Sequence, residues 1–263
     1  MSTISAPLGV GDLLRDWRQR RRLSQLDLSN EAAVSARHLS LVETGRSKPS
    51  RELVLHLAEH LDVPLRERNS LLMAAGYAPV YRQRSLDDDE MDPVRGALDM
   101  ILAGHEPYPA VIVDHRWDVV AANQAALGVL VEGVAPELLT PPMNALRVTL
   151  HPEGLAPRIA NLDEWAGHLL ARLQRQATAS GDPDLVALRA ELRTYPGVAG
   201  AHEEPDGTTR LFVPLRLRHG RFGELAFFST IATFGTALDL TMAELAIESF
   251  FPADDTTAAA LLG

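Results

Sequence analysis

The chain has 263 residues, of which 46% are hydrophobic and 23% charged, and these values predict two globular domains rather than a disordered chain. It contains no cysteine, which excludes disulfides, thiolate metal sites and cysteine nucleophiles. We find neither a secretory leader nor an uncharged apolar stretch of about 18 residues or more, so we expect a cytoplasmic protein with no membrane partner.

Charge is divided unevenly along the chain, whose net charge is −10. Residues 1–84 hold 13 Lys and Arg against 9 Asp and Glu, whereas residues 85–263 hold 12 against 26. Binding to DNA requires Lys and Arg side chains to neutralise the phosphates. By charge, therefore, only residues 1–84 are suited to bind DNA. We predict a helical domain over 1–84, a boundary segment with a linker helix over 85–108, and a second domain over 109–263.

Apolar stripes and caps predict five short helices in the first domain. In the first helix the apolar residues recur at helical spacing and form an apolar stripe, which includes Trp17. Ser24, Ser35 and Ser50 are typical N-cap residues and predict where the second, third and fourth helices begin. Pro64 begins the fifth.

The third helix has the pattern of a recognition helix. Leu39 and Val42 are three residues apart and face the core, which leaves small and polar residues outside. Two capped helices joined by a tight turn indicate a helix-turn-helix, and Arg37 can donate two hydrogen bonds to a guanine edge. The predicted DNA-binding residues are Gln25, Ser35, Ala36, Arg37, His38, Ser40, Arg46, Lys48 and Ser50. A helix bundle with a merely solvated face is the alternative.

Two segments of this region form a recognisable motif: Leu23-Ser24-Gln25 and the run from Val34 to Ser50, above all Glu43-Thr44-Gly45-Arg46-Ser47-Lys48-Pro49-Ser50. On these residues, the region resembles the Xre/Cro class of helix-turn-helix repressors. The resemblance implies a structural ion pair between Glu43 and Arg18. The class usually has glycine where this chain has Ala33, and a positive φ there would cost alanine about 1 kcal/mol.

Strand and helix patterns alternate in the second domain. In chain order we predict a hairpin of strands 110–113 and 119–122, a short helix begun by Asn123, short helical pieces over the proline-broken stretch 131–160, helices over 163–179 and 183–195, and strands over 211–217, 222–234 and 241–250. The predicted fold class is therefore multidomain, α and α+β.

Short motifs spread along the chain carry a second resemblance, and they are Leu65-Arg66-Glu67-Arg68-Asn69, Ala74-Ala75-Gly76-Tyr77-Ala78-Pro79, Asp118-Val119-Val120-Ala121-Ala122-Asn123, Asn144-Ala145-Leu146-Arg147, His151-Pro152, Tyr195-Pro196-Gly197 and Phe251-Pro252-Ala253-Asp254. On these residues, nearly the whole chain resembles the MmyB-like subfamily of actinobacterial regulators. The resemblance implies a PAS-like antiparallel sheet with flanking helices, whose pocket holds a fatty acid or similar lipid.

Candidate ligand contacts follow from the predicted sheet and from that resemblance. Apolar side chains on a curved sheet could enclose a cavity, and we predict Val111, Val113, Val213, Leu215, Phe227 and Phe228 as its walls. Asn144, Arg147 and His151 are the polar candidates, and the last two could pair with a carboxylate. A dry, filled core is the alternative. Haem bound through His115, His151 or His168 also remains open, but we expect no cofactor besides a bound fatty acid as effector.

These patterns predict a sequence-specific transcription regulator that binds a double-stranded DNA operator as a homodimer and senses a small apolar ligand. The chain lacks a recognisable cluster of acid, base and nucleophile, so we do not expect an enzyme. His56 and His60 are spaced to chelate a metal but have no third ligand nearby, and an exposed helix face is expected instead. The alternatives are a constitutive repressor with a purely dimerising second domain, and an enzyme or lipid carrier with a helix-turn-helix module.

Overall fold

The computed structural model describes residues 9–201, 212–235 and 239–262. The chain divides into two compact units, the first mainly up to Gln83 and the second mainly from Arg84 onward. Within the described part, no helix is both long enough and apolar enough to cross a membrane.

The first unit is a bundle of five helices over its described residues, as predicted. The helices are α1 (Val10–Arg20), α2 (Gln25–Glu31), α3 (Ala36–Glu43), α4 (Arg51–His60) and α5 (Leu65–Ala74). All three predicted serine caps are confirmed, since each hydroxyl oxygen accepts a backbone N–H from the first turn of its helix at 3.1–3.2 Å. At Ser24 the cap is reciprocal, because the Asp27 carboxylate accepts the backbone N–H of Ser24 at 2.8 Å.

Leucine and valine side chains from all five helices fill the core of this unit. They pack around Trp17, which is 5% exposed, and the fully or almost fully buried members are Leu14, Leu28, Leu39, Val42, Val54, Leu57, Leu61, Leu71 and Leu72. Helices α1 and α3 cross closely at Gly11, where a methyl group would collide with the carbonyl oxygen of Val42. Helix α3 is thus held by close backbone packing as well as by its own apolar side.

The turn between α2 and α3 carries the strain that the sequence suggested. Ala33 has φ 50°, in the left-handed region where a side chain is disfavoured and glycine is not. We therefore expect Ala33→Gly to raise the stability of the five-helix unit by about 0.5–1 kcal/mol, measured by chemical denaturation. The control is Ala36→Gly, at an exposed helical position, which should lower stability by a similar amount. A loss of stability at both positions would contradict this account.

The described strands of the second unit are β1 (Ala110–Val113), β2 (Val119–Ala122), β3 (Leu215–His219), β4 (Gly223–Thr233) and β5 (Ala246–Pro252). They form one antiparallel five-stranded sheet in the order β2-β1-β5-β4-β3. The predicted hairpin 110–113 and 119–122 is confirmed residue for residue, and the predicted antiparallel sheet with flanking helices is confirmed as an architecture.

Helices flank this sheet on both faces. They are α6 (Asp92–Gly104), α7 (Gln124–Leu130), α8 (Ala145–Leu150), α9 (Leu162–Ser180), α10 (Pro183–Leu192), the single turn α11 (Leu240–Ala243) and α12 (Asp255–Leu262). On one face, Leu98 and Leu102 of α6 pack on Ala110, Ile112 and Ile247. The larger core lies on the other face, which we call the inner face, and includes residues of α8, α9 and α10.

Two strand predictions differ from the structure. The strand predicted over 211–217 begins only at Leu215, partly because Pro214 has no N–H to give to a ladder; Leu211 lies outside the described residues. The strand predicted over 241–250 begins at Ala246, since the preceding apolar residues form α11. Helix α12 was not predicted at all.

Candidate DNA-reading surface and ligand cavity

The outward side of α3 carries the residues that the sequence predicted there. Ser35, Ala36, Arg37 and His38 are exposed and Ser40 is half-buried, whereas Leu39 is fully buried. Within the described part of the chain, the Arg37 side chain makes no hydrogen bond or ion pair. Its guanidinium donors are therefore available to a partner that offers paired acceptors.

A buried ion pair fixes α3 to α1. Arg18 donates to both carboxylate oxygens of Glu43, from Nε at 2.7 Å and from Nη2 at 2.9 Å, and Glu43 is only 1% exposed. Arg15 donates to the Glu43 carbonyl oxygen at 3.0 Å, and Gln25 donates from its side-chain amide to the carboxylate at 2.8 Å. The ion pair implied by the resemblance is present, and Glu43 is a structural residue.

Burial alone would raise the pKa of the Glu43 carboxyl, because it disfavours the charged form. Hydrogen bonds from Arg18 and Gln25 and the charges of Arg18 and Arg15 outweigh that penalty and hold the pKa below its ordinary value. The carboxylate therefore stays ionised at neutral pH, which keeps the ion pair between α3 and α1 intact.

The remaining predicted DNA contacts lie on either side of α3. Arg46, Lys48 and Ser50 are exposed in and after the loop that follows it, and the Lys48 ammonium lies 5.2 Å from the centroid of the Tyr77 ring. Gln25 differs from the expectation: it is half-buried, and its side-chain amide N–H is donated to Glu43. Its side chain therefore supports the scaffold, while its backbone N–H remains in the first turn of α2.

An apolar cavity lies between the inner face of the sheet and helices α7, α8 and α9. Its volume is about 80 Å³, counted as the space open to the centre of a water-sized sphere. The apolar walls are Val111, Val119, Ala122, Ala126, Leu127, Leu130, Val131, Met143, Ala145, Leu146, Val148, Leu155, Leu169, Leu215 and Phe250, and the side chains with polar atoms are Trp117, Thr149, Trp165 and Glu248. Leu127, which is 42% exposed, brings solvent to its edge.

Only part of the predicted apolar wall is found at this cavity. Val111 and Leu215 line it. Val113 and Phe227 belong to the adjoining core, and Val213 packs on that core. Phe228 is a correction: the alternation along β4 turns it away from Phe227, and it stacks on Phe251 with the ring centroids 5.3 Å apart.

The three polar candidates are engaged elsewhere, which also corrects the expectation. Asn144 caps α8 and donates to the Arg116 carbonyl oxygen at 2.8 Å. Arg147 forms a two-point ion pair with Glu191 of α10, with both bonds at 2.8 Å. His151 packs edge-on against Tyr195, whose hydroxyl donates to Glu191 at 2.6 Å. These residues hold α8 against α10 and thereby support the wall that α8 gives the cavity.

That cluster also perturbs the titration of its members. Hydrogen bonding to Arg147 lowers the pKa of the Glu191 carboxyl, although partial burial acts in the opposite direction. Burial, together with the hydrogen bond to Glu191, raises the pKa of the Tyr195 phenol to about 12. At neutral pH the Glu191 carboxyl is therefore ionised and the Tyr195 phenol neutral, which preserves the ion pair and the hydrogen bond that Glu191 makes.

The sequence interpretation missed the polar side chains of the wall. Trp117 and Trp165 are two of the three tryptophans in the chain, and both are buried. Glu248 is a single carboxylate within the apolar strand β5 and is 6% exposed. A carboxylate among the apolar residues just before Phe250 was the available signal, because a buried carboxylate requires a partner.

Four of the histidines considered as metal or haem ligands have local contacts. His56 and His60 each place a ring nitrogen within 2.9 Å of a backbone carbonyl oxygen, and their rings meet edge-on. His115 lies 3.1 Å from a Glu244 carboxylate oxygen, and His168 stacks on Trp165. In the described part of the chain, no group of three or more potential metal-ligating residues comes together.

Comparison with known proteins finds a matching family for each of the two units. Residues 94–262 match the family of MmyB-like transcription regulator ligand binding domains, and residues 10–71 match a helix-turn-helix domain family. No curated protein matches the chain. A solved structure described as an RNA-binding Light-Oxygen-Voltage receptor aligns with 97% of this chain at 14% identity and a TM-score of 0.25, and the chain spans 62% of its length. The family match covers more than half of the chain, which therefore belongs to the MmyB-like transcription regulators, with a DNA-binding helix-turn-helix followed by a ligand-binding domain.

Proposed function

We propose that this regulator reads a specific DNA operator as a homodimer and responds to an apolar ligand, a fatty acid or similar lipid, held in the cavity of the second unit. The observation that carries the ligand proposal is the wall of that cavity, which is apolar except for four side chains. An apolar pocket with a few polar groups is the usual form of a small-molecule site.

The size of the cavity supports a chain-like ligand. On the same measure a single water needs roughly 10–15 Å³, so the cavity has room for several water-sized groups. A row of methylene groups in such a space loses its contact with water, which is favourable by about 0.8 kcal/mol for each buried methylene. A small apolar space of this kind therefore suits a hydrocarbon chain better than a bulky polar metabolite.

The exposed side of α3 supports operator reading. Arg37 is exposed and uncommitted within the described residues, and the first 84 residues carry an excess of positive charge. A homodimer would present two such helices to half-sites about 34 Å apart on the same side of the duplex. We propose direct base contacts by Arg37, with His38 and Ser40 beside it, and phosphate contacts by Arg46, Lys48 and Ser50.

Native mass spectrometry before and after organic extraction tests the ligand proposal. We expect an extra mass that extraction removes and that a hydrocarbon-chain lipid restores. Ala126→Phe, which fills part of the cavity, should abolish the restored mass, whereas Ala125→Phe on the same helix but outside the wall should not. A mass equal to the bare chain throughout, with no uptake of added lipid, would favour a constitutive repressor with a dimerising second unit.

A further inference from the structure

Glu248 is the only charged side chain in the wall of the cavity, among the residues that the structure describes. It lies on the inner face of β5, paired in register with Val111, and is 6% exposed. Any ligand that fills the cavity must therefore lie near a carboxylate that water reaches poorly. The charge of that carboxylate bears directly on which head group the cavity accepts.

The charge of Glu248 is already balanced by Arg172 of α9. The Arg172 Nη1 atom lies 3.4 Å from a Glu248 carboxylate oxygen, and the guanidinium lies 4.2 Å from the centroid of the Trp117 ring. The pair is neutral as a whole. His168, one turn before Arg172 on the same helix, adds no positive charge at neutral pH, because burial and the neighbouring Arg172 and Arg175 lower its pKa.

Trp165 is another side chain of the wall with a polar atom. Its indole Nε1 is buried and has no hydrogen-bond partner within the described part of the chain. A buried donor without an acceptor is costly and is rare in native proteins, so an acceptor supplied by a ligand would remove the penalty. Trp165 and Arg172 are seven residues apart on α9, which is roughly 10 Å along the helix axis.

These three observations disfavour an ionised ligand. A carboxylate near Glu248 would put two negative charges in a poorly hydrated space with one guanidinium between them. A single neutral N–H from Trp165 cannot balance a carboxylate at the other end. A ligand ammonium group would place a second positive charge near the Arg172 guanidinium in the same poorly hydrated space. A hydroxyl or amide avoids it, because its N–H or O–H donates to Glu248 and its oxygen accepts from Arg172 or Trp165.

We therefore propose that the cavity selects an uncharged amphiphile, a hydrocarbon chain with a hydroxyl or amide head, over an ionised fatty acid of the same length. This inference rests on the proposed function, namely that the cavity holds a hydrocarbon chain, and it narrows the proposed ligand from a fatty acid or similar lipid to the uncharged lipids of that kind. Glu248 is the residue that determines the specificity, and Arg172 positions its carboxylate.

The test compares four ligands of one chain length on the extracted full chain: 1-decanol, decanamide, decanoate and decylamine. At neutral pH we expect decanol and decanamide to bind about tenfold or more tightly than decanoate or decylamine. Glu248→Gln should remove most of the discrimination against decanoate, and the control Glu224→Gln, at an exposed carboxylate outside the wall, should leave it unchanged.

The outcomes separate this inference from the proposed function. Equal or tighter binding of decanoate or decylamine to the unaltered protein would overturn the head-group inference and leave a lipid-binding cavity in place. Absence of binding by all four ligands would overturn both. The comparison on the unaltered chain needs no variant, so it decides the question even where Glu248→Gln fails to fold.

Discussion

Replacing Glu43 with alanine is expected to destabilise the five-helix unit by about 3–5 kcal/mol. The change leaves the Arg18 guanidinium, which is 9% exposed, without its carboxylate, and it also removes the acceptor of the Gln25 amide. Hydrogen exchange of the α1 and α3 amides in the full chain measures the loss. The control is Glu59→Ala, an exposed glutamate of α4, which should change stability by no more than about 0.5 kcal/mol. Equal effects at the two positions would show that the ion pair is dispensable.

The ion pair between Glu43 and Arg18 also makes the stability of the five-helix unit depend on pH. Because the folded-state pKa of Glu43 is lowered, its contribution to stability is fully present above the unfolded value, about 4.3, and is lost as the pH falls through the folded value. The difference between the wild type and Glu43→Ala should therefore be constant from neutral pH down to about pH 5 and should shrink in stronger acid. A difference that grows on acidification would contradict the assignment.

Arg37→Ala is expected to reduce preference for the operator by about 5- to 150-fold, which corresponds to about 1–3 kcal/mol for one bidentate base contact. The fold should be unaffected, because Arg37 is exposed and makes no hydrogen bond or ion pair within the described residues. Binding to a site selected from random DNA and to a scrambled duplex, both at one fixed salt concentration, measures the preference.

Arg46→Ala is the matched control, since it removes an exposed arginine of the same unit. If Arg46 contacts phosphate, its loss should weaken binding to both duplexes alike and lower the slope of affinity against salt by about one. The assignment of base reading to Arg37 fails if Arg37→Ala keeps the full preference for the selected site, or if the two variants behave identically.

Local signals in the sequence were sufficient for most elements of both units. The caps at Ser24, Ser35 and Ser50 depend only on a hydroxyl and the next three residues, so they can be recognised without the fold. The hairpin of β1 and β2 is equally local. By contrast, the apolar residues just before Ala246 fit a strand or a helix turn, and periodicity over so short a run cannot separate the two.

The cavity could not be read from the sequence, because its wall comes from elements far apart in the chain. Arg147 has the chemistry of a carboxylate anchor, but tertiary packing brings Glu191 to it from 44 residues away and uses both donors. Trp165 and Glu248 look like ordinary core and strand residues until the fold sets them in one wall. A resemblance to the family therefore predicted that a pocket exists, whereas the residues that line it required the structure.

Operator affinity with and without ligand tests most directly whether the two units act as one regulator. The full chain, first extracted and then reloaded with the tightest-binding amphiphile, is titrated with its selected operator at fixed salt. Coupling between two sites typically amounts to about 1–3 kcal/mol, so we predict that loading changes the operator Kd by about 5- to 150-fold and leaves binding to scrambled DNA less affected. The same operator Kd in the extracted and loaded states would contradict a ligand-responsive regulator.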